Sequence, residues 1–300
     1  WAFIYNIIGI PIAAVTGGMA TPAGSSFNVV AMNILQQATG TSISFLDWVV
    51  IALPIVIVMT PISWFFITQI IKPEPIADSC LQGIRDQAAG AKKIEAYEVK
   101  AILVIGAMLV LWIVGNWVPV LNATVVALIG LTVMFLPGMD LLTWKEFQGS
   151  VPWGIVIMCG TIMSMGGVVE ATGGAAFLAG AISGSGVMDL GFFAAFALLL
   201  ALIYLLHTVC PIGVAILGIF LPIMITLCAG FGVSPAVPTI ALAVVVAGNY
   251  LMPVNPTVML TYGEGYYTFT DMLKTGIVPA IALVLLMALW MPFIVGVMGL

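Results

Sequence analysis

Long apolar stretches are the feature that most limits how this chain can fold. The stretches 45–71, 192–206 and 277–298 contain almost no charged side chains. About 20 apolar residues in a helix suffice to cross a hydrocarbon core of about 30 Å, and these stretches lack the alternation of lipid-facing β-strands. Hydrophobic residues make up 63% of the chain and charged residues 6%, too few for a water-soluble surface. The chain is therefore predicted to be an all-α polytopic membrane protein.

The basic residues are concentrated in one segment. Five of the seven lie between 72 and 100, namely Lys72, Arg85, Lys92, Lys93 and Lys100. Because cytoplasmic loops are rich in Lys and Arg, segment 73–100 is predicted to be a cytoplasmic linker of a protein in the cell (inner) membrane. The net charge of −5 is spread over loops and does not indicate a nucleic-acid partner.

Cysteine and histidine content argues against several kinds of chemistry. The four cysteines lie far apart without a CxxC pair, so we expect reduced structural cysteines and no metal centre or other cofactor. A membrane enzyme needs clustered catalytic groups, and the chain has one histidine and no acid predicted inside a span. The chain is therefore predicted not to be an enzyme.

A first interruption of the apolar pattern follows residues 2–15. Glycine and proline recur between 17 and 24 and break any helix there. This is either a glycine-lined loop between two ordinary helices or a broken span, 3–36, whose helix ends face an ion or a substrate. The second interpretation is favoured by polar side chains at Thr21, Ser25, Ser26 and Asn28.

A second interruption contains the only histidine. His207 stands beside Thr208, with Pro211 and Gly213 shortly after, inside an apolar stretch. Irregular backbone at membrane depth is tolerated where protein or a wet cavity receives it. Residues 192–229 are therefore predicted to form a re-entrant hairpin with its tip at 207–213. His207 either closes the hairpin as a neutral imidazole or contacts the substrate and senses pH.

A third interruption, NYLMPVNPT at 249–257, divides a predicted broken helix 236–262. Two interrupted helices, one near each end of the chain, are typical of paired repeats whose breaks meet at a midplane site. The other apolar stretches are predicted to be scaffold spans within 101–184 and a last span 277–298. Glu170 falls at a predicted helix end beside glycines, where an interfacial position is favoured over a role in the site.

Three groups of motifs resemble the divalent anion:sodium symporters, which carry di- and tricarboxylates or sulfate. Residues 17–28, GGMATPAGSSFN, resemble the GGxxTxxGTPPN segment of that family. The residues WK at 144–145, VPWG at 151–154 and EATG at 170–173 are similar to its WK…VPWG…EASG pattern. The last third, with FLPI at 220–223, LMPV at 251–254 and YGEG at 262–265, is similar as well.

The resemblance implies an inverted-repeat, elevator-type transporter fold and a homodimer. It extends over nearly all 300 residues but covers only the second part of a typical member. Residues 1–72 would be the last two spans of an incomplete first repeat, and 101–300 the second repeat. The chain opens at Trp1 without a Met or a basic n-region, so we expect further sequence upstream.

The resemblance also implies site residues. The implied sodium-binding residues are Gly18, Thr21, Gly24, Thr208 and Pro211. The implied and predicted substrate-binding residues are Ser25, Ser26, Asn28, His207, Gly213, Asn249, Asn255, Pro256 and Thr257. The family's second Ser-Asn-Thr motif is replaced by residues 212–214, IGV, and its ATPPN is shortened to 255–257, NPT. Either helix N-termini, His207 and the nearby amides bind the anion, or the site no longer takes a typical dicarboxylate.

The predicted function is sodium-coupled uptake of a divalent organic anion or sulfate by alternating access. Helix N-termini bind anions without a formal cation, which suits a chain with no Lys or Arg in its predicted spans. The alternative is a membrane-embedded accessory subunit that needs a separate N-terminal polypeptide to transport.

Overall fold

The computed structural model describes residues 2–71, 82, 95–118, 120–151, 153–210, 212–253 and 255–299. All regular structure in these ranges is helical. The helices are α1 (Ala2–Gly18), α2 (Ser26–Thr39), α3 (Phe45–Ile70), α4 (Ala96–Val114), α5 (Ala123–Met134), α6 (Trp144–Ser150), α7 (Trp153–Ala171), α8 (Gly174–Gly184), α9 (Phe192–Val209), α10 (Gly213–Gly230), α11 (Ala236–Ala247), α12 (Pro256–Tyr262) and α13 (Phe269–Met298). Short 3₁₀ turns occupy Pro22–Gly24 and Val187–Leu190.

Five of these helices are long and apolar enough to cross a membrane: α3, α4, α9, α10 and α13. They expose many large aliphatic and aromatic side chains, and only 6% of an 18-residue stretch of α4 is buried within the protein. Such surfaces are stable against lipid and not against water. The prediction of an all-α polytopic membrane protein is confirmed in these terms.

Local capping sets where two helices begin. The hydroxyl of Thr268 accepts from the Asp271 amide, and the Asp271 carboxylate accepts from the Thr268 amide, so α13 starts at Phe269, ahead of the predicted last span 277–298. Similarly, α4 starts at Ala96, within the predicted linker 73–100, where the Glu98 carboxylate accepts from the Glu95 amide. Of that linker, residues 73–81 and 83–94 lie outside the described residues.

Helix α11 forms the centre of the core. Every residue from Ala236 to Ala247 is buried, because α2, α9, α10 and α13 all pack against it. The helix has no polar stripe, as expected for a helix enclosed by protein on all sides. The start of α10 contacts α11 at Val246, and a further interruption directly follows the end of α11.

The contacts made by α1, α2 and α3 correspond to those made by α11, α12 and α13. Helix α1 packs on α3 and α12, and α11 packs on α13 and α2. Helices α3 and α13 pack on each other, and the Trp290 indole N–H donates to the Ile51 carbonyl at 3.0 Å. Exchanging α1, α2 and α3 for α11, α12 and α13 therefore leaves this set of contacts unchanged.

Candidate functional site

The first break joins α1 to α2 through a compact turn. The Asn28 amide group donates to the carbonyls of Gly18, at 3.2 Å, and Thr21, at 2.9 Å. Ser25 caps α2, since its hydroxyl accepts from the Phe27 amide at 3.3 Å. The backbone that a continuous helix would have paired is thus held by one buried asparagine and one cap.

The break is also anchored to α3 and to the core. The Trp48 indole N–H donates to the Met19 carbonyl at 3.0 Å, and both side chains are fully buried. Met19 in turn packs so closely on Gly248 that a β-carbon there would clash with its methyl group. The first break therefore lies against the end of α11.

The end of α9 at Val209 and the start of α10 at Gly213 both lie close to α2. His207 lies in the last turn of α9, is 3% exposed, and meets the Phe27 ring edge-on with centroids 6.3 Å apart. A β-carbon on Gly213 would lie 2.7 Å from the Phe27 ring and 2.8 Å from Val246. The N-termini of α2 and α10 and the C-terminus of α9 thus meet around Phe27.

The second break follows α11. The Asn249 carboxamide oxygen accepts from the amides of Leu251, at 3.1 Å, and Met252, at 3.3 Å. Its NH₂ group donates to the Thr208 hydroxyl at 3.3 Å. Thr208 is a predicted sodium ligand and Asn249 a predicted substrate ligand, and the structure brings them into contact.

Three residues that the sequence analysis did not single out hold the breaks together. The Tyr204 hydroxyl contacts the backbone of Gly248 and Tyr250, and the Tyr250 hydroxyl contacts Thr16 of α1 at 2.9 Å. In the sequence, Tyr204 stands out as a tyrosine in an otherwise aliphatic stretch, and a buried phenol needs a hydrogen-bond partner. The sequence offered no way to name that partner.

Two buried polar atoms at this place have no hydrogen-bond partner among the described residues: the Asn28 carboxamide oxygen and the His207 Nδ1 atom. Asn28 is fully buried, and leaving such an acceptor unpaired costs about 1–3 kcal/mol. The Asn28 oxygen belongs to the group that already binds the carbonyls of Gly18 and Thr21. An oxygen-rich corner with a spare acceptor fits a cation such as sodium.

Most of the remaining predicted site residues lie at the start of a helix or in a turn. Ser26 is exposed at the start of α2, and Gly24 is exposed in the 3₁₀ turn. Asn255 caps α12, accepting from the Thr257 amide at 3.1 Å, and Pro256 is the first residue of that helix. No hydrogen bond or ring contact within the described ranges joins Asn255 or Thr257 to the His207 region. Pro211 lies outside the described residues.

Comparison with known proteins bears on this arrangement. The family model described as "Sodium:sulfate symporter transmembrane region" matches residues 4–297. The Na(+)/citrate cotransporter of Rattus norvegicus is 25% identical over 322 residues, covering 89% of this chain and 56% of its own length. The sodium-dependent dicarboxylate transporter SdcS of Staphylococcus aureus is 23% identical over 316 residues, covering 97% and 59% respectively.

The chain spans just over half the length of these two relatives. Both relatives are named as transporters, which agrees with the prediction that the chain is not an enzyme. The match to a transmembrane family model and the five long apolar helices together identify a multi-pass membrane protein. Because the match extends over nearly the whole sequence, the chain belongs to the sodium:sulfate symporter family, the divalent anion:sodium symporters that its motifs resemble.

Proposed function

We propose that this chain moves a divalent anion across the membrane together with sodium, by alternating access. The observation that carries the proposal is the meeting of helix ends around Phe27. The N-termini of α2 and α10 are joined there by the Phe27–Gly213 contact, and α9 ends beside them at His207. Helix ends of both polarities therefore occupy one small region.

Electrostatics gives these ends their roles. A helix N-terminus carries about half a positive charge and unpaired N–H groups, which bind carboxylate or sulfate oxygens. The C-terminal ends of α1, α9 and α11 carry a partial negative charge and unpaired carbonyls, which are proposed to bind sodium. Ser25, Ser26, Gly213 and His207 are proposed to contact the anion.

Sodium is proposed to bind at two places. One comprises Gly18, Thr21 and Gly24, where the unpaired Asn28 oxygen supplies a further acceptor. The other is Thr208, whose oxygen faces the second break through Asn249. Moving sodium with the anion offsets their charges, and each net charge moved is worth about 2.3 kcal/mol per 100 mV. A sodium gradient would thereby drive anion entry.

The proposed substrates are citrate and other di- or tricarboxylates, with sulfate next. The two relatives are named for citrate and for dicarboxylates, and the family model for sulfate. The replacement of the second Ser-Asn-Thr motif by residues 212–214 removes side-chain donors. We propose that His207 Nδ1 supplies a donor in their place, since it is buried and unpaired.

The proposed architecture is an inverted repeat that moves as an elevator. It is supported by the contact pattern that is unchanged when α1–α3 are exchanged for α11–α13. Transporters of this kind bind substrate where the breaks of the two repeats face each other. A homodimer stays a prediction from the resemblance.

Reconstitution into proteoliposomes tests the function. Uptake of labelled citrate, succinate and sulfate should be driven by an inward sodium gradient and should cease when potassium replaces sodium or when an ionophore dissipates the gradient. Sodium-independent uptake would contradict the proposal. Uptake that requires co-reconstitution with a separate N-terminal polypeptide of a family member would instead identify the accessory subunit predicted as the alternative.

A further inference from the structure

Tyr204 closes the second break with a single hydroxyl. It donates to the Gly248 carbonyl at 3.1 Å and accepts from the Tyr250 amide at 2.8 Å. These backbone groups follow the last turn of α11, where helical pairing ends. Tyr204 is only 3% exposed, so no water replaces these bonds. The backbone of the break thus depends on a side chain that belongs to α9.

The backbone of the same residue orients Thr208. The Thr208 hydroxyl donates its only proton to the Tyr204 carbonyl at 2.9 Å, so its oxygen can only accept elsewhere. One lone pair accepts from the Asn249 NH₂ group at 3.3 Å, and the other stays available. An oxygen fixed as an acceptor is what a sodium ligand requires.

Tyr250 extends the connection to α1. The Thr16 hydroxyl donates its proton to the Ile12 carbonyl at 2.7 Å, so in the 2.9 Å contact with Tyr250 it is the tyrosine that donates. This link joins the two breaks but does not touch Thr208 or Gly248. It therefore serves as an internal comparison for Tyr204.

We infer that Tyr204 is a positioning residue for sodium: its hydroxyl fixes the backbone on both sides of Asn249, whose NH₂ group donates to Thr208, and it does so without touching the ion. The inference rests on the proposed function, since it assigns a supporting residue to the proposed sodium site at Thr208. Residues that orient ligands in this way commonly change ion affinity by about 10–100-fold when they are replaced.

The test measures sodium binding rather than transport. The purified chain in lipid nanodiscs is titrated with sodium chloride at constant ionic strength, with potassium as the balancing ion, and the thermal unfolding midpoint is followed. Tyr204→Phe removes both hydroxyl bonds and should raise the half-saturating sodium concentration about tenfold. Tyr250→Phe keeps the Tyr204 bonds and should change it by less than about threefold.

Two controls separate positioning from general loss of stability. Thr239→Val removes a buried hydroxyl that bonds the Pro235 carbonyl at 2.7 Å on α11, and Tyr97→Phe removes an exposed phenol. Both should titrate like the unchanged chain. If Tyr204→Phe also titrates like the unchanged chain, the inference is overturned and the proposed function stands.

A second measurement covers the case in which Tyr204→Phe does not fold. Hydrogen exchange of the unchanged chain should slow at the amides of residues 248–252 when sodium is added. Sodium stabilisation elsewhere without protection of this segment would overturn the inference alone. An unchanged chain that shows no sodium response by either measurement would overturn both the inference and the sodium coupling on which it rests.

Discussion

Gly18 and Gly24 lie backbone against backbone across the first break. A β-carbon built on Gly18 would come within 2.7 Å of the Gly24 carbonyl oxygen, and one on Gly24 would come closer still to the Gly18 carbonyl. This approach brings the end of α1 next to the 3₁₀ turn, where Asn28 binds two of the carbonyls. The site geometry therefore depends on two positions without side chains.

Gly24→Ala should lower the thermal unfolding midpoint and abolish the sodium-dependent rise in that midpoint. The added methyl must displace backbone, and overpacking of this kind costs about 1–3 kcal/mol. Gly17→Ala is the matched control, because a β-carbon there meets nothing within 4 Å. Equal effects of the two substitutions would contradict the role of the Gly18–Gly24 contact.

Gly213→Ala should weaken citrate or succinate binding about tenfold, measured by substrate-induced thermal stabilisation. A β-carbon would lie 2.7 Å from the Phe27 ring and push the N-terminus of α10 away from that of α2. Gly230→Ala at the other end of α10 meets no atom within 4 Å and should bind normally. Adding Phe27→Leu to Gly213→Ala should restore part of the affinity; no recovery would argue against this contact as the cause.

Asn28→Ala should destabilise the protein by about 2–4 kcal/mol, because the carbonyls of Gly18 and Thr21 lose their buried donor. It should also remove sodium protection of the first break in hydrogen exchange. Asn33→Ala, at an exposed position of α2, is the control and should behave like the unchanged chain. Retained sodium protection in Asn28→Ala would exclude the Asn28 oxygen from the sodium site.

Single-cysteine labelling tests the orientation. The Ser44 hydroxyl bonds the Asn116 side chain at 2.6 Å, so the start of α3 and the end of α4 lie on the same face. Cysteines at Thr41 and Asn116, in a background without the native cysteines, should react with an impermeant reagent from outside the cell. Gln82→Cys should react only from the cytoplasm. The reverse pattern would overturn the predicted cytoplasmic linker.

The start of α6 should lose protection at low pH. Hydrogen bonds from the side chain and amide of Thr143 to the Glu146 carboxylate lower the pKa of Glu146 below its ordinary value. A lowered pKa means that the stabilisation is complete above the unfolded-state pKa and is lost as the pH falls through the folded-state pKa. The protection factors of the amides of residues 143–150, which compare each exchange rate with the intrinsic rate at the same pH, should therefore fall in acid, and Glu146→Gln should remove that fall. Protection factors that do not change with pH in the unchanged chain would contradict this assignment.

The sequence allowed the helical class of this membrane protein to be predicted. Clusters of glycine and proline are local signals, and the described helices end near them at Gly18, Val209 and Ala247. Helix α13 begins ahead of the predicted span 277–298, because the Thr268–Asp271 capping box extends the helix into a polar stretch. That motif is readable in sequence, whereas hydropathy alone misses it.

The contacts between the breaks could not be predicted. Thr16 and Tyr250 are 234 residues apart, and their contact depends on how helices distant in the sequence pack together. His207 and Thr208 were recognisable as polar groups in an apolar stretch, but the contact of Thr208 with Asn249, 41 residues later, was not. The roles assigned to Asn255 and Thr257 stay predictions, because their described hydrogen bond is a local helix cap.

The complete burial of α11 has a consequence for how the protein is made. Its 12 residues extend about 18 Å, well short of the hydrocarbon thickness of about 30 Å. A segment that short cannot be retained by lipid as an independent span while the ribosome is still adding α13. We expect α11 to reach its final position only when α2, α10 and α13 enclose it. Its docking would then be a late step of biogenesis. A chain in which this docking fails would expose α11 to quality-control proteases.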